Sequence, residues 1–126
     1  MKNIPLFILI IAVTIFIVWE GVNTHQVMNE LTSQSEAIYS ELQSGELNED
    51  ITNKIIKLEN YWTKKMDTLA ISISKKDLQP VSDYLQYLVS AVKNDSVEDA
   101  LTYARLLDYN VAGLKEANGI SWMNLL

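Results

Sequence analysis

The side chains best suited to chemistry in this chain are few and far apart. The single histidine, His25, has no cysteine and no second histidine to join it, so the ligand set of a zinc site cannot be completed. A lone imidazole could sense protons, but His25 reads as a solvated residue just past an apolar run. Carboxylates occur in adjacent pairs, Glu49-Asp50 and Glu98-Asp99. Each pair falls where a helix is expected to begin, and the helix dipole accounts for acids there. Four glycines are too few and too dispersed for a phosphate-cradling loop, and there is no nucleophile elbow or H-E-x-x-H segment. The pattern predicts no enzyme, no catalytic residue, no metal and no cofactor.

The aromatic residues carry more information. Tyr61, Trp62, Tyr84, Tyr87, Tyr103, Tyr109 and Trp122 all fall in the second half or near its start. Three readings of the set stay open: core side chains with snorkelling phenols, a tyrosine-lined pocket for a small ligand, and a partner or self-association face. Tyrosine and tryptophan are favoured at interface hot spots, so Tyr84, Tyr87, Tyr103, Leu106, Tyr109 and Trp122 are the candidate interface residues.

What positions these residues is set first by residues 4–19, IPLFILIIAVTIFIVW, which contain no charge. As a helix they rise about 24 Å, a little short of the roughly 30 Å of a hydrocarbon core. Lys2 can snorkel toward headgroups on one side, Trp19 suits the other interface, and Pro5 sits in the first turn, where a missing N–H costs little. The rivals are a buried core helix and a cleaved signal peptide. A chain of 126 residues seldom opens on such a run for core use. Residues 20–25, EGVNTH, offer no small-residue cleavage site, and without cysteine there is no lipoprotein attachment. An uncleaved anchor over residues 1–23 is the expectation. Lys2 and the amino terminus alone set the orientation, because the next lysine is Lys54; the positive-inside rule then predicts a single pass in the cell membrane, N-terminus cytoplasmic and the rest extracytoplasmic.

Residues 24–126 are enough for one small domain. Residues 20–126 hold all 16 acidic residues and nine of the ten basic ones, a net charge of −7. Such a module should not seek nucleic acid or anionic headgroups by its net charge. Apolar packing must stabilise it, since it has no disulfides.

Four helical segments follow from the periodicity. The first, 24–44, has a narrow stripe of Met28, Leu31, Ser35, Ile38 and Leu42, and Gly45 stands at a stop position. The second, 48–74, starts from Asn48 as N-cap and carries the clearest stripe: Ile51, Ile55, Leu58, Trp62, Met66, Leu69 and Ile73. The third, 78–93, is expected to open at a cap on Asp77, with Pro80 in its first turn. Its stripe is Val81, Tyr84, Leu85, Leu88 and Val92, with Tyr87, Val89 and Ala91 off it. The fourth, 96–118, opens on a capping box from Asp95 with Glu98 or Ser96 with Asp99. It runs through Val97, Ala100, Ala104, Leu107, Val111 and Leu114 and should stop at Asn118-Gly119. Residues 119–126 are too apolar to float free and should pack back on the body. Short loops make these segments antiparallel neighbours. The predicted fold is all-α: an N-terminal transmembrane helix continuing into a small antiparallel three- to four-helix bundle. Whether the first helix is continuous from the anchor to Ser44 stays open at this level.

From about Glu46 onward the chain resembles an uncharacterised family of short clostridial (Firmicutes) proteins with one N-terminal anchor and a small helical body. The resemblance rests on Trp62, on the apolar stripe of the third helix, on Ala100 with Leu106-Leu107, and on the closing Asn124-Leu125. A His-Glu pair expected at the start of the third helix reads Lys76-Asp77 here. The resemblance implies no enzyme activity. Members are often encoded beside multi-pass membrane proteins of the YetF type, which implies a membrane partner.

The expected function is a membrane-tethered extracytoplasmic helical module for protein interaction, partnering an integral membrane protein or itself. Lipid is the expected partner of residues 4–19 and nucleic acid is not a partner. The alternative is a ligand-sensing ectodomain, which would be expected to signal through a partner because only three residues precede the apolar run 4–19. A lysis-protein stalk is disfavoured because Gly45, Pro80 and Gly119 interrupt any long heptad run, and a pilin because no leader site precedes the apolar run.

Overall fold

A computed structural model describes the backbone of residues 4–125 and the side chains of residues 5–117. It contains four helices: α1 (Ile4–Leu42), α2 (Glu49–Ser72), α3 (Lys75–Lys93) and α4 (Val97–Leu125). α1 packs on α2 and α4, and α3 packs on the same two helices from the other side. The connections are short, so neighbours in sequence run antiparallel and the four helices close a square up-and-down bundle.

α1 is one unbroken helix of 39 residues, about 58 Å long, and its two halves meet different surroundings. From Leu6 to Trp19 every large apolar side chain is 48–67 % exposed, which excludes a core helix for this half. This helix is long and apolar enough to cross a membrane. From Glu20 onward the same helix supplies one wall of the bundle core through Val27, Met28, Leu31, Ile38 and Leu42. The question of continuity is thereby answered. No proline interrupts residues 6–42, and α1 ends where Gly45 takes a positive φ of 85° that few other residues adopt.

The core follows the stripes with local corrections. Ile51, Ile55, Leu58, Trp62 and Leu69 of α2 are buried, and Ala100, Ala104, Leu107 and Val111 line α4. On α3 the buried row is Leu78, Val81, Leu85, Leu88 and Ala91. Ala91 therefore faces inward, while Tyr84 and Val92 are only partly covered.

Two boundaries differ from those expected. The N-cap of α3 is Ser74, not Asp77: its side chain accepts from Lys76 N, and its carbonyl accepts from Asp77 N at 2.9 Å and Leu78 N at 3.1 Å. Ile73 and Leu78 flank this cap at the positions of a hydrophobic staple and both enter the core cluster, which favours the earlier start. Pro80 therefore lies in the second turn, where its ring removes the donor to the Lys76 carbonyl. α4 does not stop at Asn118-Gly119 but continues to Leu125. A helical glycine costs only about 1 kcal/mol, which does not halt a helix unless a left-handed cap forms. At the other end of α4, Ser96 is the capping side chain, accepting from Asp99 N at 3.3 Å. Asp95 instead takes a positive φ of 54° in the α3–α4 turn, where Ser96 N returns to Ala91 O at 2.9 Å in a Schellman pattern.

Candidate partner-binding face

Tyr84 and Tyr87 of α3 and Tyr103 and Leu106 of α4 lie along the seam between the two helices, and the fold brings the three tyrosines into contact. Tyr84 meets Tyr87 edge-on with ring centroids 6.4 Å apart, and Tyr87 meets Tyr103 at 5.3 Å. Edge and tilted contacts of this kind favour the ring quadrupoles. Tyr84 and Tyr103 pack partly into the core, while Tyr87 is 49 % exposed. α3 and α4 run antiparallel, so the Tyr87–Tyr103 contact sets a register that brings Tyr84 level with Leu106, which is half-buried.

Further along the seam, on the side of the α2–α3 turn, an open cleft of about 390 Å³ lies between Lys76, Asp77 and Pro80 of α3 and Asn110, Gly113 and Leu114 of α4. Tyr109 stands at its edge, 81 % exposed. It is turned about 100° from Asn110 around the helix and so projects away from the tyrosine trio rather than joining it. Gly113 has open space where a Cβ would go. Trp122 lies outside the described side chains. A smaller groove of about 190 Å³ runs between α1 and α2 beside Glu30, Gln34, Ala37 and Lys54. Lys54 closes its distal end through ion pairs to Glu41 at 3.0 Å and Asp50 at 3.3 Å. Hydrogen bonds to those carboxylates, Glu41 first, push its ammonium group above the ordinary lysine value. Burial, and secondarily Glu30, push the Tyr61 phenol up.

Buried polar links join the helices behind this face. The Trp62 indole N–H donates to Ser82 Oγ at 2.7 Å and ties α2 to α3. Ser35, buried on the apolar stripe of α1, donates to Asp108 of α4 at 3.2 Å. His25 is exposed, with the Asn29 amide nitrogen 3.2 Å from its Nε2. Among the described residues no three histidine, aspartate or glutamate side chains converge on one point.

One polar group is absent from the candidate residues named above. Glu20, Asn23 and Thr24 share a face of α1 where it enters the bundle, and Glu20 and Thr24 are buried. Glu20 Oε1, Asn23 Nδ2 and Thr24 Oγ1 have no hydrogen-bond partner among the described residues. The signal was in the spacing: Glu20 and Thr24 extend the row of Met28 and Leu31 backward at helical intervals.

No family model, no curated protein and no solved structure matches this chain.

Proposed function

We propose that this protein is a single-pass membrane protein whose helical bundle, held directly on the bilayer outside the cytoplasm, binds another protein. The partner is an integral membrane protein or a second copy of the chain. The observation that carries the reading is the division of α1. One continuous helix offers an exposed apolar half of membrane-spanning character and then becomes a wall of the bundle. Such a helix passes the position of the span to the bundle with no flexible joint. The α3–α4 seam, with Tyr87 exposed along it and Tyr109 exposed at the edge of an open cleft further on, is the face that suits a partner. The resemblance to the clostridial family supports a multi-pass membrane partner. The two clefts among the described residues are open, whereas ligand pockets enclose most of their ligand, so neither of them favours a small-molecule sensor.

The native chain has no cysteine, so topology can be read with single-cysteine variants. S44C should react with a membrane-impermeant maleimide added to intact cells. Labelling only after lysis would reverse the orientation. A photo-crosslinking amino acid at Tyr87 or Tyr109, in native membranes, should yield a defined protein adduct by mass spectrometry. Adducts confined to lipid would refute the binding role.

A further inference from the structure

We propose that the membrane-facing end of the bundle, the α2–α3 turn with Ile71, Lys75 and Lys76, rests on the headgroup layer of an anionic bilayer. This inference rests on the anchor reading above and adds a second, peripheral contact to it.

Helix lengths place the turn. From Trp19 to Leu42 α1 advances about 35 Å, and the 24 residues of α2 return by about the same distance. The Lys54–Glu41 ion pair fixes the register at the far end. Ser72 therefore comes back level with residues 19–23, where the apolar run ends. At that level the surface is apolar in a way the bundle does not need. Ile71 is 60 % exposed, the most exposed large aliphatic side chain described outside residues 4–19, and Val22 on the neighbouring helix is 51 % exposed. With Trp19 at 55 % they are three exposed apolar side chains at the level where span and bundle meet.

The charges agree. Lys75 and Lys76 are the first two residues of α3 and are exposed. Neither is within ion-pair distance of an acid among the described residues. Cations at a helix N-terminus oppose the macrodipole, so local helix stability gives no reason for two lysines there. Anionic headgroups at that level would. Around the turn, residues 64–77 hold four lysines and two aspartates, and Glu20, Lys115 and Glu116 at the same end add one net negative charge, whereas residues 41–54 and 93–99 at the far end hold seven acids and two lysines. The net negative charge thus hides a lengthwise asymmetry. An anionic surface attracts the turn and repels the opposite end, which holds the bundle upright on its span.

The test uses the full-length chain in vesicles of phosphatidylcholine, with or without phosphatidylglycerol. Single-cysteine variants S72C and S44C carry an environment-sensitive fluorophore, and spin-labelled lipids quench near the headgroups. The Ser72 probe should be quenched several-fold more than the Ser44 probe, and more strongly in anionic vesicles. A variant combining I71N, K75E and K76E should lose that difference while keeping its helical circular dichroism and still floating with the vesicles. If the chain floats but the two probes are quenched equally, this inference is overturned and the anchor stands. Quenching that is equal in neutral and anionic vesicles would overturn the role of the lysines. A chain that does not float overturns the anchor reading and this inference with it.

Discussion

The link between Trp62 and Ser82 allows the packing of α2 on α3 to be tested quantitatively. Trp62 is 3 % exposed, and its indole N–H has one acceptor, Ser82 Oγ at 2.7 Å. The Ser82 hydroxyl in turn lies 3.6 Å from Met66 Sδ. In S82A the indole N–H stays buried without a partner, a penalty of about 1–3 kcal/mol. Alanine's better helix propensity returns about 0.5 kcal/mol, so a net loss of about 1–2 kcal/mol is expected. For a domain of this size, that lowers Tm by roughly 5–10 °C. In W62F the donor is lost along with part of the ring, costing about 1–3 kcal/mol through the cavity. The Ser82 hydroxyl left behind is only half-buried and can turn to water. Once the indole is gone, removing the hydroxyl should cost little, so W62F/S82A should be less destabilised than the sum of the single variants, by about 1 kcal/mol. Reversible thermal unfolding of the full chain in detergent, followed by circular dichroism, measures all four corners. A loss below about 0.5 kcal/mol for S82A, or strict additivity, would refute the claim that this hydrogen bond holds α2 to α3.

Gly113→Ala should raise stability by about 1 kcal/mol, because the position is mid-helix and a Cβ meets open space. If the cleft beside it seats a partner, the same variant should weaken the photo-crosslink at Tyr109, and an unchanged adduct would argue against that seat. Asp95→Gly should also stabilise, by about 1 kcal/mol, by relieving the left-handed backbone at φ 54°; a drop in Tm would show that the carboxylate has a use. Glu20→Leu should stabilise by about 1 kcal/mol, since Glu20 Oε1 is buried without a partner among the described residues, whereas a destabilised variant would show that this oxygen is satisfied in the folded chain. A fall in stability at alkaline pH follows from Tyr61, whose phenol is pushed up by burial, and from Lys54, whose hydrogen bonds to Glu41 and Asp50 favour its charged form. Above the ordinary phenol value of 10.0 the folded state keeps protons that the unfolded chain has released. Stability is therefore fully present below that pH and falls as pH rises past it. Y61F should soften the fall, and denaturant midpoints between pH 9 and 11.5 would read it.

Much of the architecture is written in local pattern. A helix announces its inward face through intervals of three and four, so Ile51, Ile55, Leu58 and Trp62, or Ala100, Ala104 and Leu107, can be assigned to a core without knowing what covers them. The apolar half of α1 is equally local, since length and composition are the whole signal. The candidate face was legible only as a surplus of aromatics. Which rings meet is a matter of register, and that register brings Tyr84, Tyr87 and Tyr103 together and turns Tyr109 away.

Competition and neighbours settled the rest. Ser74 and Asp77 are both good caps, and the choice between them depends on Ile73 and Leu78 finding a core to enter. Asn118-Gly119 is a stop only if a left-handed turn forms, and α4 continues instead. A carboxylate after an apolar run looks like the edge of the membrane, yet the bundle closes over Glu20 and Thr24. The sequence by itself determined four amphipathic or apolar helices and most of their inward faces, because periodicity belongs to each segment alone. Only the tertiary structure decided that α1 runs unbroken from an exposed apolar half into a wall of the bundle, and that the bundle's charge is sorted along its axis. Both depend on which residues distant in sequence come level with one another.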